Sequence, residues 1–181
     1  PVLAEEEIER VIPVIEKIRQ HFDIPISIDT YKSTVAKAAI AAGADLVNDI
    51  WGLKYDASLA GVIADAGVPC CLMHNRSQIQ EHPYENFMED LLMDLRETVQ
   101  TAKNAGIKED KIILDPGVGF AKSYENNLEA IRCLDQCRQL GFPILLGASR
   151  KSVIGLTLDL PVTSRLEGTL VTTVFAVIKQ C

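Results

Sequence analysis

Five short apolar runs return along the chain with helical patterns between them: IPISID (24–29), DLVNDI (45–50), PCCLMH (69–74), KIILDP (111–116) and PILLGA (143–148). Each is too short for a buried helix and reads as a strand covered on both faces. The clearest helical stripe is Phe87, Met88, Leu91, Leu92, Leu95, Val99 and Ala102, an apolar face at the spacing that packs a helix on a sheet. Other helices are expected near 3–20, 33–42, 57–66, 123–140 and 164–180. Gly43, Gly67, Gly106 and Gly141 each end a helix just before the next strand, a repeated use of the left-handed C-cap. Pro83 suits a first helical turn and Ser164 to Glu167 fits a capping box.

Strand and helix alternating over such short connections imply a parallel sheet with right-handed crossovers. Two architectures satisfy this, a doubly wound open sheet and a (β/α)8 barrel. A complete barrel takes about 250 residues, so 181 residues with five visible strands fit either an open doubly wound sheet or five-eighths of a barrel. No linker interrupts the series, and one domain over 1–181 is expected.

Composition narrows the function classes. Hydrophobic residues make up 48% and charged residues 24%, which excludes a disordered chain. The net charge of −7 gives no broad basic footprint for nucleic acid. No apolar run approaches the ~20 residues of a membrane span. The opening PVLAEEEIERVIPVIEKI is an acidic amphipathic helix unlike a signal peptide, so a cytoplasmic protein is expected. Cys70, Cys71, Cys133, Cys137 and Cys181 lack C-x-x-C spacing, which argues against a zinc ribbon or a disulfide framework. Cys133 and Cys137, a helical turn apart, read as buried thiols.

In parallel α/β folds, chemistry collects at the carboxyl ends of the strands. Standing there are Asp29-Thr30, Asn48-Asp49, Met73-His74-Asn75, Asp115-Pro116-Gly117 and Ser149 to Ser152. Any one of these alone is as readily a helix cap; several on one rim fit a polar clamp for a heterocycle. Asp115 is suited to accept paired donors from an amide-like edge with an exocyclic amine. Asn48 donates and accepts, Asp29 can oppose positive charge developing on a substrate, and Lys151 can donate to a ring atom. DPGVGFAK (115–122) lets backbone approach a ligand closely, with Phe120 either a stacking face or a core plug. SRKS (149–152), at a helix start, offers hydroxyls, cations and N–H groups to an anion. His74 has neither His21 nor His82 at metal-ligand spacing and reads as a satisfied structural histidine. Trp51 reads as packing.

Taken in order, SIDTYKSTVA, LVNDIWG, LMHN, ILDPGVGFAK and LLGASRKSVIG closely resemble the dihydropteroate synthase family, bacterial folate-pathway enzymes inhibited by sulfonamides. The resemblance covers nearly the whole chain. It implies a (β/α)8 TIM barrel, here incomplete, with strands three to seven and their flanking helices as a partial pterin-binding domain. It further implies a transferase that condenses 6-hydroxymethyl-7,8-dihydropterin diphosphate with para-aminobenzoate, giving 7,8-dihydropteroate and diphosphate with Mg2+ assistance. By motif, Asp29, Asn48, Asp115 and Lys151 become pterin contacts, Met73 and Gly147 wall the pocket, and Phe120 and Ser152 face para-aminobenzoate. Asp29 and Lys151 are the expected catalytic groups; Arg150 is either a substrate contact or structural. Family members also carry an Asn-Val-Thr-Pro-Asp-Ser-Phe-like strand, a Ser-Thr-Arg-Pro-like loop and a final Arg-x-His strand. None occurs here, so the chain reads as an internal fragment with the Mg2+ ligand outside it. Two alternatives stay open: a pterin-binding methyltransferase domain, and a non-catalytic pterin-binding remnant. A homodimer is expected of the complete protein, with the helix near 164–180 contributing.

Overall fold

The computed structural model describes residues 2–77 and 83–181. The elements are α1 (Ala4–His21), β1 (Ser27–Asp29), α2 (Ser33–Ala41), β2 (Leu46–Asp49), α3 (Leu59–Ala66), β3 (Cys70–Met73), α4 (Phe87–Asn104), β4 (Ile112–Asp115), α5 (Tyr124–Arg132), α6 (Leu134–Arg138), α7 (Ser152–Leu158) and α8 (Leu166–Ile178). Short 3-10 turns at Glu109–Lys111 and Val162–Ser164 precede β4 and α8. The sheet order is β1-β2-β3-β4, and β1 with β2 and β2 with β3 pair in parallel. A doubly wound sheet reverses its strand order at a switch point, whereas a barrel adds each strand beside the last. The sequential order is that of an incomplete α/β barrel.

The chain forms two compact units, Pro1–Met73 with Glu97–Ile113 and His74–Arg96 with Leu114–Cys181. In the first unit Ile28 faces Val47 and Val47 faces Cys70 across the sheet, and all three are buried. α1 packs on α2 and α2 on α3; Val35, Ala36, Ala39, Leu59 and Ile63 supply the buried helix face. Only β3 is buried at every position. β1 is exposed at Ser27 and Asp29, so the expected burial of every strand on both faces does not hold. Arg19 ties α1 to the α2–β2 loop, donating from Nη2 to the Gly43 carbonyl at 2.6 Å and to Asp45 Oδ2 at 2.5 Å. Asp45 also accepts from the Ile26 N–H at 2.8 Å, and that bond, with Arg19, lowers its pKa.

In the second unit α5 packs on α7 and α7 on α8. The expected fifth strand at 143–148 is reduced to one parallel bridge, Leu114 to Ile144. The Leu114 N–H donates to Pro143 O at 2.9 Å and the Leu145 N–H to Leu114 O at 2.8 Å. Pro143 brings no donor, and the backbone turns as Ala148 donates to Leu146 O. The helix expected over 123–140 breaks at Cys133 (φ −103, ψ 26) into α5 and α6. The capping box is absent: Ser164 closes the 3-10 turn and α8 starts at Leu166 without a side-chain cap. Pro83 lies ahead of α4 rather than in its first turn. The glycine stops are all present, Gly67 for example capping α3 with φ 65°. All five cysteines are free, with Cys137 buried and Cys133 half-buried. Among the described residues no helix is long and apolar enough to cross a membrane.

Leu72 of β3 is fully buried. Leu72→Ala should therefore lower the unfolding free energy by about 2–5 kcal/mol in urea denaturation; a loss below the cost of one methylene would mean that β3 is not a central strand.

Candidate active site

Asp115 ends β4 and is 5% exposed. Its Oδ1 accepts the Gly117 N–H at 2.7 Å. Burial raises its pKa, against the opposing pull of the Gly117 and Gly147 N–H groups, Lys151 and Lys122. Gly147 leaves the carboxylate room: a Cβ there would sit 3.2 Å from Asp115 Oδ2. The segment holding Gly147 is aligned on β4 through the Leu114 bridge, which is how residues 32 apart in sequence share one carboxylate.

The turn after β4 is built by glycine. Gly117 has φ 71°, and a Cβ on it would collide with the His74 carbonyl oxygen; Gly119 has φ 88°, and a Cβ there would lie 2.9 Å from Lys151 Cδ. Lys151 therefore runs directly over the turn. Its ammonium donates to the Val118 carbonyl and stands 4.6 Å from the centre of the Phe120 ring. Burial lowers the Lys151 pKa while Asp115 opposes that shift. Phe120 is half-buried, so it is not a sealed core plug. Asp115, Phe120, Gly147 and Lys151 are thus brought together.

Ser152 starts α7 and is exposed. Arg150 has φ 54° and is tied into the α7–α8 connection. Its N–H donates to Thr169 Oγ1 at 2.9 Å and its guanidinium to the Val162 carbonyl at 2.8 Å. Both bonds fit the structural one of its two readings.

In the first unit, Asp29, the last residue of β1, is the register partner of Asn48, the last but one of β2. Asn48 Nδ2 donates to Asp29 Oδ2 at 3.1 Å. Met73, 4% exposed, ends β3. Behind them Asp49, fully buried, accepts the Trp51 N–H at 2.8 Å and the Leu53 N–H at 2.6 Å. Burial raises its pKa against those two bonds. Trp51 packs 6.0 Å from Tyr55, itself 4.4 Å from Tyr31, the packing role expected of it.

A second cluster in the second unit joins His74 to Lys122, Asp94 and Arg76, which were not singled out in the sequence. Lys122 donates to Gly117 O at 2.9 Å and Phe120 O at 3.0 Å, and its ammonium lies 3.0 Å from His74 Nδ1. His74 Nε2 lies 2.9 Å from Asp94 Oδ2, which also accepts from Arg76 Nε at 2.7 Å. The Arg76 guanidinium stacks 4.3 Å from the centre of the Tyr84 ring. His74 is thus a satisfied, buried histidine. His21 is likewise engaged locally, its Nδ1 lying 2.8 Å from Lys17 O; His82 lies outside the described residues. Among the described residues no group of three or more His, Cys, Asp or Glu could hold a metal ion.

A carboxylate-and-lysine cluster at the strand ends of a parallel α/β barrel section is the arrangement of a small-molecule enzyme domain. The chain belongs to the pterin binding enzyme family, whose model matches residues 1–180. It is 58% identical over 179 residues to the dihydropteroate synthase of Clostridium beijerinckii, covering 99% of this chain and 65% of that protein. It superposes with a TM-score of 0.94 and 46% identity on the Clostridium difficile dihydropteroate synthase crystallised in the presence of pteroic acid, covering 99% of this chain and 67% of that one. The Xanthomonas albilineans dihydropteroate synthase in complex with 7,8-dihydropteroate matches with a TM-score of 0.91 and 36% identity, over 98% of this chain and 66% of that one. The chain therefore spans about two thirds of the length of such relatives.

Burial pushes Lys122 down to about 7 from 10.5. Between those values the unfolded chain holds a proton that the folded chain has lost, so this lysine makes stability rise with pH across that window. Lys122→Met should flatten that rise in unfolding midpoints measured from pH 7 to 10; an unaltered slope would mean that the ammonium is not desolvated.

Proposed function

We propose that the chain is the pterin-binding part of a dihydropteroate synthase, joining 6-hydroxymethyl-7,8-dihydropterin diphosphate to para-aminobenzoate. The observation that carries this reading is the buried Asp115 carboxylate, with Gly147 leaving space beside Oδ2 and Lys151 adjacent. A pterin presents a ring N–H and an exocyclic amine side by side, and a carboxylate accepts such paired donors with charge assistance. Lys151 supplies a donor for a ring acceptor, and Phe120 a half-exposed aromatic face for the arylamine. Asp29 and Asn48 contribute a second acceptor and an amide. The similarity to a synthase holding 7,8-dihydropteroate supports the same assignment.

In the reaction the pterin methylene carbon loses diphosphate with the C–O bonding pair. The arylamine nitrogen then forms the C–N bond and releases one proton. No protein nucleophile takes part, so the chain contributes orientation and electrostatic stabilisation, with Asp29 opposing positive charge on the pterin as diphosphate departs. Met73 walls the ring pocket and Ser152 offers its hydroxyl to the para-aminobenzoate carboxylate. Mg2+, implied by the family, would neutralise the diphosphate. The described residues offer no cluster of its usual ligands, and no step here runs through it. We assign the reaction to the cytoplasm, with sulfonamides as competing arylamines. Exposed Leu166, Leu170, Val174 and Val177 on α8 supply an apolar surface for a homodimer.

Asp115→Asn keeps the shape of the side chain and removes its charge. Calorimetric titration of the full-length protein with 6-hydroxymethylpterin should show affinity weakened by about 1–3 kcal/mol, in a variant whose circular dichroism matches the wild type. Unchanged affinity in that folded variant would remove Asp115 from the pterin site.

A further inference from the structure

Lys122 has no part in the chemistry above, yet its ammonium is placed with unusual economy. One nitrogen bridges Gly117 O and Phe120 O, the first and last carbonyls of a four-residue turn that the Phe120 N–H also closes onto Gly117 O at 3.1 Å. Within that turn the Val118 carbonyl and the Phe120 ring are the two groups that hold Lys151. The distance between Gly117 O and Phe120 O sets the pitch of the turn, and the pitch sets where Lys151 and Phe120 stand. Behind Lys122, His74 Nδ1 receives it at 3.0 Å, and the other ring nitrogen is anchored on the Asp94–Arg76 pair.

We propose that Lys122 is a positioning residue: bracketing Gly117 and Phe120 from one side and braced by His74 from the other, it sets Lys151 and Phe120 for substrate. What the turn positions rests on the pterin and arylamine reading above; how the turn is held does not. An ammonium donating to Nδ1 requires a neutral ring with its proton on Nε2, facing Asp94. The groups acting on Lys122 are His74, Asp115, Lys151, Asp94 and Arg76. Its lowered pKa, set first by burial, means that near neutral pH the ammonium becomes an amine. Two hydrogens must then serve Gly117 O, Phe120 O, His74 Nδ1 and, at 3.4 Å, His74 O, and one arm of the bracket is released as pH rises.

The test is nitrogen-15 NMR of the full-length protein from pH 6 to 9, wild type beside Lys122→Met, together with titration by 6-hydroxymethylpterin and by para-aminobenzoate. In the wild type, His74 Nδ1 should be unprotonated at pH 6, and its resonance should shift with the Gly117, Gly119 and Phe120 amides through one common titration. Lys122→Met should abolish that titration and weaken para-aminobenzoate binding about tenfold or more. A protonated Nδ1 at pH 6, turn amides that ignore the titration, or wild-type affinity in the variant would overturn the proposal. Should the variant not fold, the wild-type titration alone decides. Should wild-type protein bind neither compound, the functional reading fails while the resonances still judge the bracket.

Discussion

A carboxylate taken out of water at the end of a buried strand has to be held by donors, and the second unit is arranged around that requirement at Asp115. The desolvation of such a group costs several kcal/mol unless hydrogen bonds and opposite charge offset it. Here the Gly117 N–H reaches back within two residues, the Gly147 N–H comes from a segment aligned through Leu114, and Lys151 and Lys122 add positive charge. Each provision constrains something further. Gly117 must be glycine because a Cβ there would meet the His74 carbonyl, and Gly119 because its φ of 88° is one that side-chain-bearing residues rarely adopt.

The first unit contains the same kind of group with a different outcome. Asp49 is fully buried and has both oxygens engaged by the N–H groups of the loop it organises. Asp29, at the end of the neighbouring strand β1, is exposed, and one of its oxygens is engaged by Asn48. A carboxylate accepts about four hydrogen bonds, so Asp29 keeps capacity for a ligand where Asp49 has turned inward. Both stand at strand ends as Asp, which is why residue type alone does not separate the acid turned inward from the one left with open acceptors.

Much of the fold was legible because it is written in local terms. Apolar runs, helical stripes and the glycine stops at Gly43, Gly67, Gly106 and Gly141 all depend on neighbours within a turn or two. What was missed depends on partners far away. The run at 143–148 has strand composition, but with one bridge to Leu114 it remains irregular, since a strand exists only where a ladder forms. The helix near 123–140 breaks at Cys133 although its periodicity continues. Within the site, the Asp115, Phe120 and Lys151 segments were readable from glycines, an aromatic and a cation beside strands. Lys122 was not, because a lysine after a turn reads as solvated, and its partner His74 lies 48 residues earlier.

Charge around the turn makes these pieces act as one. Among the described residues Asp94 and Asp115 face Lys122, Lys151 and Arg76, and the cluster is one positive charge richer when Lys122 is protonated than when it is neutral. With Lys122 near 7, that balance lies within reach of physiological pH. An anion brought beside the cluster favours the protonated form, and by linkage protonation favours the anion to the same degree. Under the proposed function the arylamine substrate carries a carboxylate. Its arrival would then strengthen the bracket that positions Phe120 and Lys151, so that the order in the turn is completed by the substrate it serves.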